Sequence, residues 1–246
     1  MTDSQIDVPT ADGTMTVRVF EPADTSAHRK GGVILYMDAF GLRPELDGLC
    51  RRYSEQGYVT FLPDLYHRLP VRRFTVPASA DEPLDPAMHA ANTATTMELT
   101  LADTGALLAH VRAAPRYRVT RFGAVGHCMG GRHAIAAAAI FPQDVTAAAS
   151  LHGGRMVWEG ETSPHLYIPR VQGALYFAFA AHDETCPDAH KAIIERTIAD
   201  SGVRATTEHF DAAHGWTFPE RWCFDRDASD QTFARVLALL DTHVAQ

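Results

Sequence analysis

Short apolar runs alternate with helical stripes along nearly the whole chain, and this rhythm constrains the fold more than any other feature. Val33-Ile34-Leu35-Tyr36-Met37 is a continuous apolar run, suited to a strand covered on both faces. Leu46, Leu49, Cys50 and Tyr53 then share one helical face, which Gly57 closes. The strand Tyr58-Val59-Thr60-Phe61-Leu62 follows, ended by Pro63. The order then repeats. Met97, Leu101, Leu108 and Val111 form a helical stripe, Phe122 to Val125 a short strand, Gly130 to Ile140 a helix, and Ala147 to Leu151 a strand. Ala174 to Phe179 is another buried strand, followed by a helix from about Asp188 to Ala199 and a strand near Ala205 to Phe210. The last helix carries Phe233, Val236, Leu237, Leu240 and Val244 on one side.

Strands alternating with helices require right-handed crossovers, which give a mainly parallel central sheet with helices on both faces. This α/β architecture is expected to occupy residues 1–246 as one domain. Ahead of it, Thr14 to Phe20 alternates and reads as an antiparallel edge strand after the Asp12-Gly13 turn. Tyr66 to about Ala94 and His152 to Arg170 show no periodicity and read as lids or binding loops. In such sheets the reactive residues sit on loops beyond the carboxyl ends of the strands.

One of those strand–helix junctions is chemically distinctive. Gly126-His127-Cys128-Met129-Gly130 reads G-x-C-x-G, the cysteine form of the nucleophile elbow. A tight turn of this kind leaves no room for side chains at the glycines. It also sets Cys128 at a helix N-terminus, where the partial positive charge favours thiolate over thiol. The N–H of Met129 points into the same space, where it can stabilise an oxyanion.

The α/β-hydrolase order of nucleophile, acid and histidine directs attention downstream. Asp183 follows the strand ending at Phe179, with Glu184 as its nearest rival, and His214 follows the strand ending at Phe210. All three candidates project from one edge of the expected sheet. In the expected chemistry His214 takes the thiol proton and Asp183 orients its imidazole. The thiolate attacks a carbonyl, and water then hydrolyses the thioester.

Those residues resemble the dienelactone hydrolase family, on Gly126-His127-Cys128-Met129-Gly130-Gly131, Asp183 and Ala213-His214-Gly215. Asp38-Ala39-Phe40-Gly41 and Pro63-Asp64-Leu65-Tyr66 extend the likeness over residues 33 to 216. The resemblance implies an α/β-hydrolase fold and hydrolysis of a small carboxylic ester or lactone through a Cys128 acyl-enzyme. It assigns the second oxyanion donor to the Ala39 N–H. At the Asp38 position the family typically has a glutamate that pairs with the resting thiol, which makes Asp38 the candidate thiol-pairing acid. The family's substrate-binding arginine four residues after the histidine is replaced here by Phe218. Arg68, Arg72, Arg73 and Arg221 are left as alternatives. Tyr66, Arg68, Trp216 and Phe218 are the candidate lining of the substrate pocket.

Composition narrows the partners. A formal charge of -8 disfavours nucleic acid, which needs a basic surface. No apolar run approaches the roughly 20 residues that span a bilayer, and the N-terminus lacks a signal pattern. A cytoplasmic monomer or small homo-oligomer acting on a small molecule is expected, without membrane partner, cofactor or metal. The 13 histidines, among them His127, His133, His152, His182 and His214, raise a metal protein as one rival, although no zincin-type spacing occurs. A redox pair of Cys128 with Cys186 is another. Thioesterase or acyltransferase activity and a non-catalytic ligand-binding hydrolase scaffold complete the alternatives.

Overall fold

The computed structural model describes residues 2–23 and 29–245. Eight strands form one sheet: β1 (Thr2–Thr10), β2 (Gly13–Glu21), β3 (Gly31–Tyr36), β4 (Tyr58–Pro63), β5 (Phe122–His127), β6 (Val145–Leu151), β7 (Ala174–His182) and β8 (Arg204–Ala213). Their spatial order is β1-β2-β4-β3-β5-β6-β7-β8. β1 and β2 pair antiparallel, β2 joins β4 antiparallel, and every later pairing is parallel. The expected edge strand is therefore the second strand, with β1 outside it.

The described residues form six α-helices: α1 (Pro44–Glu55), α2 (Pro86–Ala94), α3 (Met97–Arg112), α4 (Met129–Ile140), α5 (Asp188–Ser201) and α6 (Arg226–His243). Their ends follow local chemistry. Pro44 opens α1, whose first turn carries Glu45 and Asp47 and whose last turn carries Arg52, charges matched to the helix dipole. Thr96 caps α3 by accepting from Leu99 N at 3.3 Å, and Asp225 caps α6 by accepting from Ala228 N at 2.9 Å. α2 lies inside the stretch expected to be loop. It is short, begins with Pro86 after the capping Asp85, and buries only Met88 and Ala91.

Two glycines of β5 show how closely the layers meet. They are three residues apart and so face opposite sides of the sheet. A Cβ on Gly123 would stand 2.1 Å from Leu240 Cδ2 of α6, and one on Gly126 would stand 2.0 Å from the Gly130 carbonyl oxygen of α4. α4 and α6 thus cover opposite faces of the central strand. α4 can lie so near because Ala134, Ala136, Ala137 and Ala138 carry almost no bulk and are wholly buried. On the α6 face the Tyr53 ring of α1 meets Phe233 of α6 at 5.0 Å. Among the described residues no helix is long and apolar enough to cross a membrane.

Leu240 fills the space that Gly123 leaves, so Leu240→Ala opens a cavity over the central strand. It should lower the unfolding free energy by about 2–5 kcal/mol, read from urea titration.

Candidate active site

β5 ends at His127, and the next residue turns sharply into α4. Cys128 has φ 52° and ψ -117°, a sparsely populated conformation for a residue with a side chain. Packing enforces it. Besides the Gly126 contact, a Cβ on Gly130 would stand 2.2 Å from the Tyr36 carbonyl oxygen, so the helix start sits directly on β3. The Cys128 carbonyl accepts from Gly131 N and Gly154 N, each at 3.1 Å. Met129 opens α4, and its N–H belongs to the unpaired first turn of the helix.

Asp183 directly follows β7 and His214 directly follows β8, so adjacent parallel strands deliver the two side chains together. Asp183 Oδ2 lies 2.7 Å from His214 Nδ1. The other oxygen, Oδ1, accepts from the Thr185 hydroxyl at 2.6 Å, Thr185 N at 2.8 Å and Cys186 N at 3.3 Å. Burial alone would raise the Asp183 carboxyl. The His214 hydrogen bond and charge, with the Thr185 donors, outweigh burial and hold it below the ordinary range. Glu184, the rival acid, is exposed.

His214 Nε2 is shielded from solvent and lacks a fully formed hydrogen bond. It is coupled to Cys128 chiefly through charge. Burial would lower this imidazole, but its neighbours Cys128 and then Asp183 push it up to about 10.

The other residues singled out from sequence have different surroundings from those expected. Asp38 is buried and bidentate with Arg43, Oδ1 to Nη1 at 2.6 Å and Oδ2 to Nη2 at 2.8 Å, and Oδ1 also accepts from Phe40 N. Both oxygens are engaged by Arg43, whose Nε reaches Glu220, and no hydrogen bond joins Asp38 to Cys128 among the described residues. Tyr66 is fully buried; its hydroxyl donates to the Ala39 carbonyl at 2.9 Å and lies 3.5 Å from Met129 Sδ. It braces the two expected oxyanion residues from behind. Arg68 is bidentate with Asp103 at 2.7 and 2.8 Å and also bonds Asp12. Trp216 stacks on Phe210, and Phe218 lies between His127 and the Arg43 guanidinium. None of these four lines the two cavities flanking the site.

Those cavities draw on other residues. One, of about 500 Å³, is lined by Asn92, Met97, Arg132, Arg155, Trp158 and Tyr167 among others. The second, of about 680 Å³, is lined by Asp183, Thr185, His214, Arg221, Trp222 and Leu84 among others. Arg132 is buried four residues after Cys128, bonded to Asn92, and neither it nor Arg155 has a carboxylate partner among the described residues. Burial pulls the Arg132 guanidinium down to about 10 against the opposing charge of Cys128. In the sequence Arg132 passes for an ordinary helix residue. The Thr185 backbone contact had a visible signal, since an aspartate side chain commonly accepts from the N–H two residues on.

A strained strand-to-helix turn carrying the sulfur, with an Asp–His pair delivered by the next strands of a mainly parallel sheet, defines an α/β hydrolase. The dienelactone hydrolase family model matches residues 15–244, and the chain belongs to that family, a hydrolase of carboxylic ester bonds. A protein of Synechocystis sp. named for carboxymethylenebutenolidase activity is 24% identical over 220 residues, covering 86% of each chain. A structure described as a dienelactone hydrolase from Klebsiella pneumoniae superposes with TM-score 0.80 at 20% identity, over 97% of both chains. A dienelactone hydrolase-like promiscuous phosphotriesterase from metagenomic libraries gives 0.78 at 17%, covering 100% of this chain and 99% of its own. At these identities the two superpositions establish the fold.

Buried neutral histidines surround the elbow. Burial lowers His127 to about 4 and pushes His133 and His152 well below the usual range. The unfolded chain takes up these protons near pH 6.5 while the native protein refuses them, so stability is present above that pH and is lost on acidification. Unfolding free energy should fall as pH drops from about 6.5 toward about 4, by up to about 1.4 kcal/mol per pH unit for each histidine. Urea titrations at pH 7.5, 6.0 and 5.0 measure this slope, and His127→Gln should flatten it.

Proposed function

We propose that the protein hydrolyses a small carboxylic ester or lactone through an acyl-enzyme on Cys128, with His214 as acid and base and Asp183 orienting it. The 2.7 Å Asp183–His214 bond beside an elbow cysteine carries this reading. The thiolate attacks the substrate carbonyl, and the oxygen that gains charge accepts from the Ala39 and Met129 N–H groups. Collapse expels the alkoxide, which takes its proton from the His214 imidazolium and leaves a thioester. His214, now neutral, removes a proton from water, whose oxygen attacks the thioester. The tetrahedral species releases the acid and restores the thiolate–imidazolium pair.

Arg132, buried and without a carboxylate partner among the described residues, and the exposed Arg155 on the same cavity favour a substrate with an anionic group. A buried guanidinium without a carboxylate partner is costly, and a substrate carboxylate in the 500 Å³ cavity would compensate it. The butenolide named for the Synechocystis relative fits this description, with the arginines at positions different from those expected.

Rapid mixing with p-nitrophenyl esters and lactones should trap an acyl adduct on Cys128 by mass spectrometry, and Cys128→Ala should abolish it together with turnover. Turnover that survives Cys128→Ala would refute the assignment. Arg132→Met should weaken kcat/KM by about 10–100-fold for an ester bearing a carboxylate. The neutral ester of equal length should change far less. Equal losses on both would remove the anion reading.

A further inference from the structure

His152 follows β6 directly, is fully buried, and holds φ 38°, a strained setting for a residue with a side chain. Its N–H donates to the Ala178 carbonyl at 2.8 Å, which pins that backbone to β7. Its ring has two partners. Nδ1 shares the Cys128 N–H with the Leu151 carbonyl, accepting at 3.2 Å where that oxygen accepts at 3.0 Å, and Nε2 lies 2.8 Å from the Thr217 hydroxyl.

The Cys128 contact sets the tautomer of the ring. Because a backbone N–H can only donate, His152 Nδ1 is unprotonated and the ring proton resides on Nε2. It donates to Thr217 Oγ1, which lies 3.0 Å from His127 Nδ1. The His152 ring also meets the His214 ring in a T-shaped contact, centroids 5.0 Å apart at 68°, with Trp216 behind at 5.0 Å. One side chain thus touches the backbone of the proposed nucleophile and the ring of the proposed base.

We propose that His152 is a positioning residue of the hydrolytic site, holding the Cys128 amide through Nδ1 and setting the plane of the His214 ring, with Thr217 fixing its tautomer. This rests on the acyl-enzyme reading above. A neutral ring at this point adds no positive charge beside the His214 imidazolium. Burial and the charges of His214 and Arg221 keep it so. The sulfur is faced by His214, by Arg132 from α4 and by Tyr66 from the loop after β4. His152 therefore acts on the reacting pair by geometry, as a wall that stops the imidazole from turning away.

The test uses the full chain with His152→Ala, His152→Asn, Thr217→Val and Thr217→Ser, read by p-nitrophenyl ester kinetics and by thiolate absorbance against pH. His152→Ala should lower kcat about 100-fold with KM nearly unchanged, the loss expected for a misplaced reacting group. Its thiolate titration should move to higher pH. Asparagine tolerates positive φ and keeps an acceptor, so His152→Asn should recover part of kcat. Thr217→Val should follow the alanine variant and Thr217→Ser the wild type. If His152→Ala does not fold, the asparagine and Thr217 variants decide. Wild-type kcat and thiolate titration in the His152 variants and Thr217→Val, or losses that only track the folded fraction, overturn the proposal. If Cys128→Ala retains turnover, the acyl-enzyme reading fails as well; if it is inactive while the His152 and Thr217 variants match wild type, only this inference fails.

Discussion

Backbone-to-backbone contact at the turn between β5 and α4 is the constraint on which the rest depends. Gly126 touches the first turn of α4 and Gly130 touches the carbonyl of Tyr36 on β3, so the helix cannot retreat from the sheet. Cys128 is left with a φ that residues bearing side chains avoid. The cost is met by burial on both faces of β5, where α4 and α6 exclude water. The sulfur is then held at the sheet's edge with the start of a helix behind it. Parallel pairing of β6, β7 and β8 brings His152, Asp183 and His214 to the same edge.

A second layer of polar contacts surrounds that turn. Thr185 and two backbone N–H groups hold one oxygen of Asp183 and leave the other for His214. Tyr66 joins the Ala39 peptide to Met129. Thr217 joins two histidines that burial keeps uncharged. Each group has few alternatives because its surroundings are dry, and an unsatisfied polar atom there is expensive.

Much of this was legible from residue order. The continuous apolar runs at Val33, Tyr58 and Ala174 identify buried parallel strands, since only a doubly covered strand lacks alternation. The glycines around Cys128 and the strand ends before Asp183 and His214 locate the candidate triad. β1 escaped because Thr2-Asp3-Ser4-Gln5 is polar, and only Ile6 and Val8 mark a face; its order comes from pairing with β2. α2 escaped because nine residues with two buried positions leave a faint stripe. Side-chain pairing across the fold was invisible: Asp38 looked available to the thiol until Arg43, five residues away, occupied both its oxygens. Trp216 and Phe218 looked like pocket aromatics because hydrophobicity alone does not distinguish a wall from a filling.

The Asp38–Arg43–Glu220 cluster has a consequence for anyone reshaping this enzyme. Arg43, almost wholly buried, is gripped by an acid from the loop after β3 and another from the loop after β8. Those loops are separated by most of the chain, yet one carries a proposed oxyanion donor and the other begins at His214. Arg43 itself sits on the first of these loops, so transplanting that loop alone would leave Glu220 without its cation, and transplanting the second alone would leave the buried Arg43 Nε without its acid; the two must be exchanged together, as a single cassette read from distant stretches of the gene.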